Sequence, residues 1–375
     1  MRFLIPLLVF FLSFGAMAQT PPPPALAANA WLLLDHGTGQ ILVSHNPDER
    51  IEPASLTKLM TAYVTFSALK AGTIALDQPV TVSEKAWRME GSRMFIEPRL
   101  PVTVDELIHG MIIQSGNDAC VALAELIAGT EEGFVHLMNR EAERLGMRNT
   151  RFANSSGLPD DNLYTTARDL AILASALVTD FPEFYRLYAE REYTYNSITQ
   201  PNRNRLLWMD STVDGMKTGH TSRAGYCLVS SAERGPRRLI AVLLGADSEA
   251  IRAQESLKLL NYGFQFFDTV KLYEAEQVLS QFRVWKGVDN EVSVGFLSEF
   301  VMSLPKGQSE RIEVTLTSVQ PVVAPIQKGQ QIGTMKLSLD GREIGEYPVV
   351  ALKEVELAGF FGRLWDALRM WIKSL

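Results

Sequence analysis

The chain has 375 residues, 46% hydrophobic and 21% charged, which is enough material for a large core and more than one domain. A formal net charge of -7, with no dense Lys/Arg cluster, argues against nucleic acid or another polyanion as a partner. Only two cysteines are present, Cys120 and Cys227; each lies in or beside an apolar run, so both read as buried or partly buried free thiols rather than a bridge.

Residues 1–18 read as a secretory signal: Arg2, an apolar core from Phe3 to Phe14, and Ala16-Met17-Ala18 as a small-x-small cleavage site before Gln19. The apolar stretch is short for a membrane span of about 20 residues. Thr20 to Ala28 holds four consecutive prolines and reads as an extended leader. The first ordered element is then a hairpin, Ala30 to Leu34 and Gln40 to Val43, around the turn Asp35 to Gly39.

The next run, Leu59, Met60, Ala62, Tyr63 and Val64, repeats with helical spacing behind Pro53-Ala54-Ser55-Leu56-Thr57-Lys58. A polar stretch, Ser83 to Pro101, leads to Thr103-Val104-Asp105-Glu106, a capping-box pattern opening a helix to Ile113. A second helix runs from Asp118 to a Gly129 stop and a third from Thr130 to Leu145, closed by Gly146. Asn154 to Asp161 is turn-rich, and Thr166 to Val178 is helical. Asp214 to Thr221, Gly225 to Ala232 and Leu239 to Gly245 read as successive strands, and Ser248 to Phe267 as a closing helix. This order predicts an α+β domain with an antiparallel sheet. Beyond it, Phe282 to Trp285, Val292 to Phe296, Ile312 to Leu316, Ile332 to Leu339 and Val349 to Leu352 predict a small all-β domain without chemistry of its own.

Three short motifs carry the chemistry. Ser55 and Lys58 lie three residues apart in the first turn of a helix, so hydroxyl and amine share a face. A serine hydroxyl is a poor nucleophile until something takes its proton, and a lysine can do so when burial or a neighbouring cation keeps it neutral. Ser115-Gly116-Asn117 sits on a tight link between two core helices, and Lys217-Thr218-Gly219 follows Asp214-Gly215-Met216. S-x-x-K, S-D-N and K-T-G occur together in β-lactamases and penicillin-binding proteins; this chain has Gly116 where that triplet has Asp. Two lysines beside one serine are expected to lower each other's pKa.

On these residues, with Asn117-Asp118-Ala119, Met216 to Thr221 and the stretch Asn154 to Asp169, the chain resembles type-5 low-molecular-mass penicillin-binding proteins, which are exported D-alanyl-D-alanine carboxypeptidases. The resemblance runs from about Ala30 to Leu375. It implies a serine β-lactamase/transpeptidase-like domain of antiparallel sheet plus helical subdomain, then an all-β domain. Ser55 would be the acylated nucleophile, Lys58 its base, Ser115 a proton relay toward the leaving amine, and Lys217 the electrostatic anchor. Asn117 would fix the acyl amide, Thr218 and Gly219 would border the substrate, and the N–H groups of Ser55 and His220 would form the oxyanion hole. Arg252 matches the family's cation for the substrate carboxylate by its position after K-T-G, although a solvated surface arginine is the other reading. Substrates would be peptidoglycan stem peptides ending in D-Ala-D-Ala, β-lactam antibiotics would acylate the serine, and no metal or cofactor is expected.

Two alternatives share these motifs. A class A-like β-lactamase would need a deacylating Glu, and no E-x-x-L-N pattern follows; a non-catalytic penicillin-binding or wall-binding protein would only be acylated or bind, without turnover.

The last stretch, Leu357 to Leu375, places Leu357, Phe360, Phe361, Leu364, Trp365, Leu368, Trp371, Ile372 and Leu375 in an arc of roughly 140° at 100° per residue. Arg363, Asp366, Arg369 and Lys373 face away. This pattern predicts an amphipathic helix lying in a membrane interface, and with the signal it predicts an exported protein held peripherally on the periplasmic face of the inner membrane. The expected boundaries are signal 1–18, leader 19–29, peptidase domain 30–270, β domain 271–355 and anchoring helix 356–375.

Overall fold

Leu32 and Leu34 point to one face of a strand while Trp31 and Leu33 point to the other, and this alternation of buried side chains organises the principal unit. The structure, a computed structural model, describes residues 21–373; the signal expected at 1–18 lies outside them. The described chain forms two compact units, residues 23–281 with 293–304, and residues 282–292 with 305–373.

The first unit is built on five antiparallel strands: β1 (Ala30–Asp35), β2 (Gln40–His45), β3 (Val213–Thr221), β4 (Gly225–Arg234) and β5 (Arg237–Ala246). Their spatial order is β2-β1-β5-β4-β3. Both faces are covered, so the central strands are nearly continuous apolar runs. Trp31, Leu33, Leu228, Leu239 and Ala241 pack with Leu259 and Leu260 of a helix Glu249–Phe266 on one side. Leu32, Leu34, Val229, Ile240 and Val242 join a helical block on the other. Each such leucine contributes about 1.5–3 kcal/mol of burial.

That block contains α1 (Lys58–Lys70), α2 (Val104–Ile112), α3 (Asn117–Ala128), α4 (Glu131–Leu145) and α5 (Ala167–Asp180); Glu249–Phe266 is α6. Their ends follow the sequence signals. Thr103 and Glu106 form the reciprocal capping box, Thr130, Thr166 and Ser248 accept from the third helical N–H of their helices, and Gly129 and Gly146 take positive φ at the C-termini. All 13 residues of α1 but Ser67, Leu69 and Lys70 are buried, which makes it the axis of the block.

The second unit is β-rich, as expected. Strands Ile312–Ser318, Gln331–Leu339 and Arg342–Ala351 form an antiparallel meander, and Ser280–Trp285 pairs in parallel with Val322–Val323. Arg342–Ala351 is longer than the predicted Val349 to Leu352, because pairing with 331–339 carries Gly345 and Pro348, both poor strand formers, into the ladder. A final helix, α7 (Phe360–Lys373), closes the described chain. Among the described residues no helix is long and apolar enough to cross a membrane.

Candidate active site

Ser55 does not start an α-helix; it sits in a single 3-10 turn, Ala54–Thr57, that leads directly into α1. The correction is small in effect. In a 3-10 turn residues i and i+3 eclipse, which aligns Ser55 with Lys58 more closely than α geometry would. The turn is entered through Ala54 at φ +49°, a left-handed conformation that costs a non-glycine residue about 1–2 kcal/mol.

Lys58 Nζ donates to Ser55 Oγ at 3.0 Å, to Asn117 Oδ1 at 2.8 Å and to the Ser156 carbonyl at 2.6 Å. The amine is 1% exposed. Burial lowers its pKa to about 8, aided by the Arg203 charge. Lys217, 3% exposed on β3, is pushed well below its ordinary value by burial first, then by Lys58 and Arg203. Desolvation thus outweighs the mutual lysine repulsion expected from sequence, and for Lys58 the principal lowering charge is a guanidinium.

The Ser115 triplet reaches the same place from the link between α2 and α3. Ser115 holds φ +62°, and its hydroxyl is buried without a hydrogen-bond partner among the described residues, a costly condition for a polar group in a protein interior. Asn117 anchors the neighbouring segment: its N–H donates to the Ser92 carbonyl at 2.7 Å and its side-chain amide to the Glu90 carbonyl at 2.6 Å. Asp118 continues the fastening, accepting from the N–H groups of Met94, Phe95 and Ile96; burial raises its pKa against these bonds.

The absence of an aspartate between Ser115 and Asn117 has a steric cause. A Cβ on Gly116 would lie 2.8 Å from Asp118 Oδ1, 3.2 Å from Met94 N and 3.3 Å from the Gly110 carbonyl. Gly116→Asp is therefore expected to destabilise the fold by about 1–3 kcal/mol and to slow acylation; an unchanged thermal midpoint would contradict this packing.

β3 is the edge strand of the sheet, so one backbone edge remains to face the Ser55 turn. Thr218 is nearly buried and His220 exposed; Gly219 brings its bare Cα against Pro53 and Leu56. The His220 ring rests on Tyr226, centroids 4.0 Å apart. Ser55, Thr218, Gly219, His220, Tyr226, Arg203, Glu249 and Arg252 line one cleft of about 470 Å³, with Gly91 and Ser92. Arg252 is 4% exposed and lines this cleft, which departs from a solvated surface arginine.

Several contributors escaped the sequence reading. Ser156 acts through its carbonyl, held by a turn in which Asn154 Oδ1 accepts from the Ser156 and Gly157 N–H groups. Gly157, at φ +87°, passes so close to Ala54 that a Cβ would lie 1.8 Å from its carbonyl oxygen. Arg203 and Glu249 also line the cleft without belonging to any motif; Arg203 stands in the polar stretch before the short helix Leu206–Met209.

Cys120 and Cys227 are both free and buried, and burial pushes the Cys120 thiol to about 12, so it is not a ready thiolate. Among the described residues no three His, Cys, Asp or Glu side chains converge as a metal site.

Comparison with known proteins places this geometry in context. Residues 17–248 match the family model of D-alanyl-D-alanine carboxypeptidase, and residues 267–357 that of the penicillin-binding protein 5 C-terminal domain. The chain is 46% identical over 363 residues to D-alanyl-D-alanine carboxypeptidase DacC of Escherichia coli strain K12, covering 95% of this chain and 91% of the relative. It is 44% identical to DacA of Haemophilus influenzae over 381 residues, covering 99% and 96%. Among solved structures, penicillin binding protein 5 from Haemophilus influenzae superposes with a TM-score of 0.85 at 42% identity, covering 90% of this chain and 99% of the other.

Proposed function

Because the chain belongs to the D-alanyl-D-alanine carboxypeptidases of the penicillin-binding protein 5 type, we propose how its own residues carry that reaction. The enzyme removes the terminal D-alanine from peptidoglycan stem peptides through a serine, and the β-lactamase and non-catalytic alternatives are not favoured by its relatives. The observation that carries the assignment is the Lys58 amine, buried and 3.0 Å from Ser55 Oγ.

In the neutral amine the lone pair replaces the N–H that faces Ser55, and the hydroxyl donates instead. Ser55 Oγ attacks the carbonyl of the penultimate D-alanine while its proton passes to Lys58 Nζ. The oxyanion forms against the N–H groups of Ser55 and His220, donors that turn with the 3-10 segment and the free edge of β3. Collapse breaks the C–N bond, and the leaving amine takes its proton by way of Ser115, whose unpartnered hydroxyl is free to relay it. Asn117 is held by Lys58 and two loop carbonyls so that it can hold the acyl amide. Lys217, Thr218, Arg203 and Arg252 attract the substrate's terminal carboxylate, and water then hydrolyses the Ser55 ester. β-Lactams enter by the same attack. Purified protein given an N-acylated peptide ending in D-Ala-D-Ala is expected to release D-alanine at a steady rate; acylation without release would favour a non-catalytic binder.

We further propose that the protein is exported by residues 1–18 and held at the periplasmic face of the inner membrane by α7. Phe361, Leu364, Trp365, Trp371 and Ile372 are between 57% and 83% exposed, which supports a lipid surface rather than the chain's own β domain as their cover. Asp366, on the opposite side, accepts from the Lys286 N–H at 2.6 Å and so keeps the aromatic face outward. Deleting residues 357–375 is expected to move the mature protein from the membrane to the soluble fraction with peptidase activity retained; membrane retention of the truncated protein would refute the tail as anchor.

A further inference from the structure

The cleft beside Ser55 contains a carboxylate at the end where a carboxylate is to be bound. Among the described residues that line it, Glu249 is the one acidic side chain, against Arg203 and Arg252. Its Oε1 stands 3.3 Å from Arg252 Nη2, with the Glu249 side chain 48% exposed and that of Arg252 5%. The Arg252 guanidinium also makes a long contact to the Arg203 carbonyl at 3.5 Å, and it lies 5.8 Å from the Tyr226 ring centre.

An ordinary account exists for such a pair. Glu249 is the first residue of α6, where the helix dipole favours an acid, and it lies three residues before Arg252, a spacing that supports many surface ion pairs. That account explains a salt bridge on the outside of a helix. It does not explain why the acid is placed in the cleft, in contact with the guanidinium that the substrate needs.

We propose that Glu249 is a specificity-determining counter-charge of the terminal-carboxylate subsite: it occupies Arg252 while the cleft is empty, and an incoming carboxylate must share or displace it. The inference rests on the reading of Arg203 and Arg252 as that subsite. Its benefit follows from the reaction. The released D-alanine keeps the same carboxylate the substrate offered, so a subsite of uncompensated cations would hold substrate and product alike. Uniform binding lowers KM without raising kcat, and it delays product departure. Glu249 loosens both, and it penalises any ligand whose anionic group cannot displace it.

The test uses the full chain and the conservative variant Glu249→Gln, which keeps shape and removes charge. For an N-acylated peptide ending in D-Ala-D-Ala, KM is expected to fall about three- to tenfold, the range for a partly exposed like-charge contact. The inhibition constant of free D-alanine falls by a similar factor, and both differences shrink as added salt screens the charge. The C-terminal amide of the same peptide, read as an inhibition constant, moves less than about twofold, and Glu249→Asp, which keeps the charge on a shorter side chain, shifts the acid's KM less than Glu249→Gln does. An unchanged or raised KM for the acid, or an equal shift for acid and amide, overturns the proposal; a raised KM would mean that Glu249 merely positions Arg252. Arg252→Ala separates the two levels of the argument. It should bring the acid's KM toward the amide's inhibition constant, and if the preference for the acid survives that change, the subsite reading falls and takes the Glu249 proposal with it.

Discussion

Ser55→Ala is expected to reduce D-alanine release by on the order of 10⁵- to 10⁶-fold, to the level left by binding and oxyanion stabilisation alone, and to abolish covalent labelling by penicillin. The side chain is small and only partly buried, and its hydroxyl accepts from Lys58 Nζ, so removal of Oγ leaves no cavity of consequence. Thermal stability should therefore stay within about 1 kcal/mol of the parent. Steady-state turnover and the melting curve, measured on one preparation, check both halves. Retained turnover would mean that another group attacks, and loss of the fold would leave the activity result to be judged from Ser55→Cys, which keeps a nucleophile of similar shape.

Lys58→Ala is expected to slow acylation by about 10²- to 10⁴-fold, the usual worth of a positioned general base. The pH dependence distinguishes this role from a packing role. Burial lowers the Lys58 pKa to about 8, so the amine is protonated below that value and neutral above it. A base must be neutral to accept the Ser55 proton. The acylation rate should therefore rise with pH through about 8, fall about tenfold per unit well below it, and lose that limb in the alanine variant. Stopped-flow acylation by a chromogenic cephalosporin across this range provides the measurement; a rate independent of pH into the acid range would exclude Lys58 as the base. Burial first, then the Lys58 and Arg203 charges, lower the Lys217 pKa as well, so Lys217→Ala should alter the height of the profile as well as its midpoint.

Much of this architecture was legible because side chains announce it. Thr103, Glu106, Thr130, Thr166 and Ser248 cap their helices as their sequence positions predict, and the apolar runs around the turn Asp35 to Gly39 pair as the expected hairpin. The catalytic motifs were legible for the same reason: a nucleophile and an amine three residues apart meet on either kind of helix. What stayed hidden acts through backbone or through position in space. The Ser156 carbonyl that receives Lys58 has no side-chain signature, and Arg203 and Glu249 reach the cleft from segments that carry none of the three motifs. Positive φ at Ala54 and Ser115 could not be foreseen, since neither residue favours it; strain of this kind gathers where a site over-determines its backbone. Strand Phe267–Tyr273 begins at the residue after α6 ends, and its apolar residues extend the helical pattern, so no break marks the change. Strand Phe300–Pro305, its partner in a two-stranded sheet, was missed with it.

The central claim, that Ser55 is the residue acylated, is tested most directly by trapping the enzyme with a penicillin, digesting it with trypsin and locating the added mass. Cleavage after Arg50 and Lys58 yields the peptide Ile51 to Lys58, in which Ser55 is the single serine. The account predicts one adduct on this peptide, with fragment ions placing it on Ser55, and none in Ser55→Ala. An adduct on Ser115, on Thr57 or on any peptide outside residues 51–58 would contradict it.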